Sequence, residues 1–295
     1  MPSRRSTTRW TLYRFSTERI FRGIVWGTSH LPLGLLRFIT RVIFLSYWPF
    51  VGRVRAALYA NAAIIHPELP ARELRRLARL CLSSYLRGAA EFWHYSAHYD
   101  PQAIREPESD MEFLKAGGYI LLSAHVGNWE LGGLNLIRSG ISFVVVSQPE
   151  EDPYVERQRQ EARARFGIPT LLIEEGEGIL FKVRQHLEGG NNIILLADRA
   201  FAQDFIPVKF FDIEAAFLKT PFMLSQWLQR PIIPMFFIKE PSGKYRGCPG
   251  ARLTPDAPER MAQAYAGELE KILRRFPYQW YNFFDYARYC RSLLS

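Results

Sequence analysis

The sequence predicts an α/β fold with a mixed, mostly parallel central sheet flanked by helices, and with an N-terminal helical segment that associates with a membrane. Two observations predict it. From residue 119 onward, short apolar runs alternate with segments of helical character, which is typical of a sheet covered on both faces. Before that point, a basic and aromatic segment precedes a long amphipathic stretch. The predicted strands are residues 119–124, 143–147, 169–173, 193–197 and 232–238.

The first 60 residues carry the whole net charge of the chain. They hold ten arginines and a single acid, Glu18, and the remaining basic and acidic residues cancel, which leaves +9 overall. An enzyme of nucleic acids would spread basic residues along the groove of its folded body, so we expect no nucleic-acid partner. Clustered arginines suit anionic lipid headgroups on a cytoplasmic leaflet. A solvated basic tail is the alternative.

The same segment is apolar enough to enter a bilayer. Residues 42–52 (VIFLSYWPFVG) are an uncharged run of eleven, shorter than the roughly 20 apolar residues of a span. Joining them to the preceding apolar residues would place Arg37 and Arg41 in mid-segment at a cost. We therefore expect an interfacial anchor over 1–56, with a single span as the alternative, and one folded domain over 57–295. No small-residue cleavage site follows a short apolar core, so no cleaved signal peptide is expected.

Helical periodicity is clearest on either side of the predicted sheet. Apolar residues spaced by three or four, from Leu74 to Phe92, predict a helix over 71–96 that begins after Pro70. A similar stripe predicts a last helix over 261–276. Helices between the strands are predicted over 130–138, 153–166, 177–188 and 215–229.

The three cysteines are far apart in the sequence. Their spacing favours neither a disulfide framework nor a zinc site, and it suits a chain that faces the cytosol.

Polar residues follow several predicted strands. Ligands of open α/β sheets collect at the carboxyl ends of strands. His125 follows the first strand, Gln148 follows the second, and the pair Asp198-Arg199 follows the fourth. Two of these three exits carry residue types that are used in catalysis, so we expect the functional site at this edge of the sheet.

The segment 123–133 (SAHVGNWELGG) holds the strongest candidate pair, His125 and Glu130. Gly127 and Asn128 permit a turn from strand to helix. Histidine is the natural base at neutral pH, and a carboxylate can fix its tautomer and stabilise the imidazolium. The spacing is not that of a HExxH zinc motif, and the chain has no GxSxG nucleophile elbow. The pattern therefore favours direct attack by a substrate hydroxyl over a covalent intermediate, although a purely structural pair is the alternative.

Several blocks of the chain resemble one family. HVGNWELGG is similar to the H-x4-D/E signature of glycerolipid-type acyltransferases, and most closely to the branch of bacterial lipid A late acyltransferases and mycobacterial mannoside acyltransferases. The ordered set covers nearly the whole chain and is more specific than HxxxxE alone. Pro221 stands where relatives more often carry glycine, which leaves the acyl-chain length and the acceptor open. The other similar blocks are residues 53–73, 163–167 (RARFG), 198–199, 208–211 (VKFF) and 279–286 (QWYNFFDY).

The resemblance implies a glycerolipid acyltransferase-like fold and an O-acyltransferase on the cytoplasmic face of the inner membrane. His125 would be the general base and Glu130 would orient it, so that a hydroxyl of a lipid A-type or other glycolipid acceptor attacks an acyl thioester. The donor substrate would be an acyl-carrier-protein or CoA thioester, with membrane lipids as further partners and no cofactor. Arginine suits phosphate because its planar fork donates two hydrogen bonds. The implied substrate-binding residues are Asn128, Arg163, Asp198 and Arg199.

Alternatives remain at this stage. Arg163 could lie on a solvated helix face, and Asp198 could cap a helix. A lysophospholipid acyltransferase, a non-catalytic lipid-binding protein of the same fold, and a lipid esterase are the competing functions. His94 and His98 with Glu91 could mimic a metal site, but aromatic-flanked helix histidines usually pack, so no metal is expected. We expect the aromatic block 279–286 to pack in the fold, with a lipid-contacting surface as its alternative.

Overall fold

The computed structural model describes residues 18–98, 111–150, 152–173, 178–201 and 203–295. Within them a six-stranded sheet has the order β3-β2-β4-β1-β7-β8. The first five of these strands run parallel and the sixth is antiparallel to its neighbour. The predicted fold class, a mixed and mostly parallel sheet flanked by helices, is confirmed. The strands of this sheet are β1 Ile120–Ser123, β2 Phe143–Ser147, β3 Thr170–Leu172, β4 Asn192–Leu196, β7 Ile232–Lys239 and β8 Tyr245–Pro249.

Helices cover both faces of the sheet. Successive side chains of a strand point to opposite faces and belong to two separate hydrophobic cores. On β1, Ile120 and Leu122 join one core while Leu121 joins the other. Asp152 caps one helix by accepting from the backbone N–H of Tyr154, as a short acidic side chain at a helix start commonly does. The helices are α1 Glu18–His30, α2 Leu33–Tyr47, α3 Gly52–Ile65, α4 Ala71–Ala97, α5 Trp129–Arg138, α6 Pro153–Arg165, α7 Ile179–Glu188, α8 Thr220–Leu228, α9 Pro258–Arg275 and α10 Tyr286–Leu294.

The five predicted strands and the helix over 71–96 are confirmed to within about two residues, but one prediction mixed two elements. Residues 215–229 were predicted as one helix, whereas the first of them belong to strand β6 Ile213–Leu218 and the rest to α8. Strand β6 pairs with β5 Phe205–Phe210 in an antiparallel hairpin. Four apolar residues in succession at the end of β6 are all buried, so no alternation marked them as a strand. The short edge strand β8 and the terminal α10 were not predicted either, although α10 buries Tyr286 and Cys290 on one face.

The N-terminal helices pack on α4 instead of standing apart from the domain. The Phe21 and Trp93 rings meet edge to face at 5.5 Å, and Arg37 Nε lies 3.3 Å from Glu91 Oε1. Helix α3 runs through the boundary predicted at residue 56, so the division into 1–56 and 57–295 stays a prediction. The arginines before Glu18 lie outside the described residues.

Helix α2 presents an apolar face to the outside. Leu35, Phe38, Val42 and Leu45 are all exposed and lie on one stripe of the helix. Residues Leu33–Phe50 are long and apolar enough to cross a membrane by length and composition, and 6% of them is buried in the protein. An exposed apolar stripe of this kind marks an interaction surface.

One glycine fixes the path of the chain from β1 into α5. Gly127 has φ +63°, and a Cβ built there would lie 1.8 Å from the carbonyl oxygen of Phe237. The same residue donates its N–H to Gln279 O at 2.8 Å. A side chain at Gly127 would therefore push apart the exit of β1, strand β7 and the C-terminal segment.

We expect Gly127→Ala to lower the free energy of unfolding by about 2–4 kcal/mol, because backbone strain adds to the clash. Gly167→Ala is the matched control, since Gly167 has φ +69° but open space around its Cβ position, and it should cost about 1–2 kcal/mol. Chemical denaturation of both variants in detergent measures the difference. Equal losses would show that the close approach to Phe237 is unimportant.

Candidate active site

The carboxyl ends of β1 and β4 bring two polar side chains together. The strands pair in parallel with Ser123 opposite Leu196, so the residues two positions further on, His125 and Asp198, become neighbours. His125 Nδ1 lies 2.7 Å from Asp198 Oδ1, and the same oxygen accepts from the backbone N–H of His125 at 3.0 Å. The expectation that the polar strand exits meet is confirmed for these two residues.

The second oxygen of Asp198 is held by the C-terminal segment. It accepts from Trp280 Nε1 at 3.0 Å and from Asn282 Nδ2 at 3.4 Å. Tyr281 N–H also donates to His125 O at 2.8 Å, so this segment runs alongside the residue it helps to place. The expected packing of the aromatic block is confirmed by burial of Trp280, Tyr281 and Asn282. Nothing in the sequence indicates that this block donates hydrogen bonds to the Asp198 carboxylate, because the residues in contact are about 80 positions apart in the chain.

Burial and charge set the protonation states of this pair. Burial raises the pKa of the Asp198 carboxyl, but His125, Arg199 and the hydrogen bonds outweigh it and hold that pKa well below its usual range. Burial and Arg199 lower the pKa of His125, and the attraction to Asp198 only partly offsets them. The imidazole is therefore neutral at pH 7 and able to accept a proton.

Arg199 is tied to the C-terminal segment as well. Its Nε donates to Asn282 Oδ1 and its Nη2 donates to Tyr281 O, both at 2.7 Å. Its guanidinium also lies over the ring of Phe284 at 5.3 Å. The predicted substrate contact of Arg199 stays a prediction, and its visible partners belong to the fold.

Glu130 has a different partner from the one the sequence predicted. Its carboxylate forms a two-pronged ion pair with Arg163, at 2.6 Å from Nη2 and 3.0 Å from Nε. Burial raises the pKa of Glu130, but the charges of Arg163 and Arg159 bring it below its ordinary value. Among the described contacts of His125, the carboxylate partner is Asp198 and not Glu130. The spacing of five residues places Glu130 inside α5, facing α6, which is why it meets Arg163.

The two remaining predicted substrate-binding residues have structural partners. Asn128 caps α5 by accepting from Leu131 N–H at 3.2 Å, and its Nδ2 donates to Gly88 O on α4 at 3.0 Å. Arg163 is buried, and its Nη1 also reaches Thr170 Oγ1 at 3.4 Å. A direct contact between Arg163 and a substrate phosphate would require its pair with Glu130 to open.

A narrow cleft of about 70 Å³ runs between α4 and the start of α5. Glu130 and Arg159 give it a polar wall, and the ring of Trp129 in its lining lies 5.3 Å from the ring of His125. Arg159 was not singled out from the sequence, where it was one of several arginines in a charged run. The rest of the lining is mainly aromatic or small: Tyr85, Gly88, Ala89, Phe92, Trp93, Gly127, Asn128 and Tyr281.

Another buried carboxylate lies beside the end of β7. Glu91 of α4 accepts hydrogen bonds from Lys239 Nζ and from the Tyr245 hydroxyl, in addition to its contact with Arg37. Burial lowers the pKa of Lys239, and the Glu91 charge opposes that change. The neighbouring His94 and His98 lie within hydrogen-bond distance of the carbonyls of Thr28 and Ser29 on α1. Glu91 and both histidines therefore join the N-terminal helices to α4.

We expect Arg163→Met to lower the free energy of unfolding by about 3 kcal/mol, because it leaves the Glu130 carboxylate buried beside a single arginine. The double variant Arg163→Met/Glu130→Gln should recover at least half of that loss, since no buried charge is then stranded. Denaturant unfolding in detergent measures both. A double variant no more stable than Arg163→Met would mean that the ion pair does not account for the effect.

The comparisons with known proteins identify the family of the chain. Residues 6–285 match the family described as bacterial lipid A biosynthesis acyltransferase. A phosphatidylinositol mannoside acyltransferase of Mycolicibacterium smegmatis (strain ATCC 700084 / mc(2)155) is 28% identical over 162 residues, which are 52% of this chain and 53% of that protein. The chain thus spans about half the length of this curated relative. Because the family match extends over nearly the whole chain and includes the site, the protein belongs to the bacterial lipid A biosynthesis acyltransferase family.

Proposed function

We propose that the protein is an O-acyltransferase that moves a fatty acyl group from an acyl thioester to a hydroxyl of a lipid A-type or other glycolipid acceptor. Besides family membership, one observation of the site supports this proposal. His125 is hydrogen-bonded through Nδ1 to the buried Asp198, and no residue in the described part of the chain forms a hydrogen bond with its Nε2. A neutral imidazole held in this way is a base whose Nε2 can receive the proton of a substrate hydroxyl.

The reaction follows from this placement. The acceptor hydroxyl gives its proton to His125 Nε2 while its oxygen attacks the thioester carbonyl carbon. The tetrahedral intermediate collapses with loss of the C–S bond, and the departing thiolate takes the proton from the imidazolium. Asp198 stabilises the imidazolium through Nδ1–H during these steps. The acyl group is thereby transferred without an enzyme-bound intermediate, in keeping with the absence of a nucleophile motif from the sequence.

Glu130 serves this proposal as part of the cleft wall. Its pair with Arg163 joins α5 to α6, and Arg159, 3.6 Å away, shares its charge. The pair keeps a fixed carboxylate and guanidinium beside the aromatic lining. In this proposal Asp198, and not Glu130, orients the imidazole of His125. Glu130 supports the wall of the cleft, and experiments can distinguish the two roles.

The donor carrier and the acceptor are proposals of the same kind. A thioester of acyl carrier protein or CoA would supply the acyl group. The relative's name points to mannosylated phosphatidylinositol as one acceptor class, and the family's name points to lipid A precursors. We place the reaction at the cytoplasmic face of the inner membrane, where both acyl thioesters and lipid acceptors are accessible.

The activity is tested with detergent-purified protein, acyl-carrier-protein and CoA thioesters, and a panel of lipid A-type, mannoside and lysophospholipid acceptors. We expect acceptor-dependent release of thiol, falling at least 10³-fold in His125→Ala and about 10²–10⁴-fold in Asp198→Asn. Full turnover of His125→Ala would overturn the mechanism. Hydrolysis without any acceptor would indicate an esterase, and no turnover with any pair would favour a binding protein.

The pH dependence separates Asp198 from Glu130. Because the pKa of His125 is lowered by burial, the acid limb of kcat/KM should lie below about pH 6.5 in the wild type. Asp198→Asn removes an attraction that raises this pKa, so its acid limb should move to still lower pH. Glu130→Gln should lose activity and stability but keep the wild-type limb. A limb that moves in Glu130→Gln and not in Asp198→Asn would return the orienting role to Glu130.

We also propose that the apolar stripe of α2 enters the membrane interface. Removing residues 1–52 would expose the apolar residues of α4 against which α1 and α2 pack. Substitution of exposed residues on α2 is therefore the cleaner test. We expect Phe38→Ser/Leu45→Ser to weaken partition into neutral vesicles at least about tenfold, because two apolar side chains no longer leave water. Leu180→Ser/Phe181→Ser on α7 is matched in residue type and exposure and should change little. Equal effects of the two pairs would show that α2 is not the contact.

A further inference from the structure

A second groove in the described part of the chain lies away from the cleft between α4 and α5. It measures about 650 Å³ and lies between the turn Trp48–Phe50, helix α3 and the first two turns of α4. Five arginines line it together with the indole of Trp48: Arg55, Arg72, Arg75, Arg76 and Arg79. Four of these belong to α4, beyond the segment that holds the net charge of the chain.

The arginines are crowded in a way that the fold does not require. Arg72, Arg75, Arg76 and Arg79 are spaced by three or four residues, so they share one face of α4, and like charges at this spacing repel each other. One acid lines the groove, Glu73, and it lies 3.3 Å from Arg76. Among the described contacts, Arg72 and Arg75 have no ion-pair partner. A bound anion would offset this repulsion.

Other contacts hold the groove in shape. The guanidinium groups of Arg55 and Arg79 lie 5.8 and 5.9 Å from the ring of Trp48, on which they stack as cations on an aromatic face. Arg55 Nη1 also donates to the carbonyls of Trp48 and Pro49, each at 3.4 Å. Two arginines are therefore positioned before any ligand arrives. Arg72 and Arg75 are exposed and have no ion-pair partner in the described part of the chain.

The position of the groove indicates what occupies it. Trp48 follows directly on the exposed apolar stripe of α2, three residues after Leu45, and Phe50 beside it is 85% exposed. We propose that this groove binds the phosphate headgroup of an anionic membrane lipid, whose acyl chains lie along α2. Trp48 would sit at the headgroup level, where amphipathic rings are favoured.

An acidic protein partner would also suit five arginines. Such a partner would not explain why the groove adjoins the apolar stripe of α2, because an acidic protein surface offers no apolar contact for the exposed side chains of Leu45 and Phe50. The groove and the cleft share no lining residue, and on α4 the groove ends at Arg79 while the cleft begins at Tyr85. The proposal therefore assigns the groove to a lipid other than the one being acylated. The proposal thus goes beyond the acyl-transfer reaction and does not depend on it.

The test is binding of the full-length protein to vesicles of pure phosphatidylcholine and to vesicles that also contain phosphatidylglycerol, measured by co-sedimentation. The wild type should prefer the anionic vesicles. Arg72→Gln/Arg75→Gln should weaken binding to them about 30-fold (about 2 kcal/mol) and leave binding to neutral vesicles unchanged. The matched control is Arg165→Gln/Arg184→Gln, which removes two exposed arginines from α6 and α7, outside the groove.

Each result decides the question. An effect confined to the groove variant supports the proposal, and so does its disappearance at high salt together with unchanged thermal unfolding. Equal weakening in the groove variant and the control would overturn it, since general surface charge would then suffice. Unchanged vesicle binding combined with lost binding of an acidic carrier protein would overturn it in favour of a protein partner.

Discussion

The buried carboxylate of Asp198 is the interaction on which the site depends. An ionised carboxylate removed from water is costly unless its oxygens are bonded, and here each oxygen has partners. One oxygen serves His125 and the other serves Trp280 and Asn282. The exits of β1 and β4 and the C-terminal segment are therefore fixed to one another through a single group. The contacts that connect these three parts of the fold also position His125, the base of the proposed reaction.

The sequence predicted the part of this arrangement that is local. Apolar runs ending in polar residues located β1, β4 and the edge at which His125 and Asp198 meet. The pairing of His125 with Asp198 could not be predicted, because it depends on β4 lying beside β1 although β2 and β3 separate them in the chain. Proximity along the chain favoured Glu130 instead, but the start of α5 turns that side chain toward Arg163. Strand β6 was missed because its last four residues are all buried and show no alternation. Strand β5 does alternate, but it contains Pro207, and proline is uncommon inside a strand.

Helix α4 connects the part of the protein that we propose contacts the membrane to the proposed active site. Its first turns form the arginine groove, its middle borders the cleft through Gly88, and Glu91 near its end joins Arg37 of α2 to Lys239 of β7. Arg37 lies in the apolar segment that the sequence marked as costly to insert. Its contact with Glu91 places that charge against the domain, which favours a helix lying at the interface over a separate span. The proposed lipid contact and the proposed reaction then share one helix.

The central claim is that Asp198 fixes His125 with the proton on Nδ1 and with Nε2 open. Nitrogen NMR of histidine-labelled protein in detergent, with His125 assigned by comparison with His125→Gln, measures this directly. At pH 7 the account predicts a neutral His125 ring protonated at Nδ1, whose signals change in Asp198→Asn and persist in Glu130→Gln. A ring protonated at Nε2, or one that responds to Glu130→Gln and not to Asp198→Asn, would contradict it.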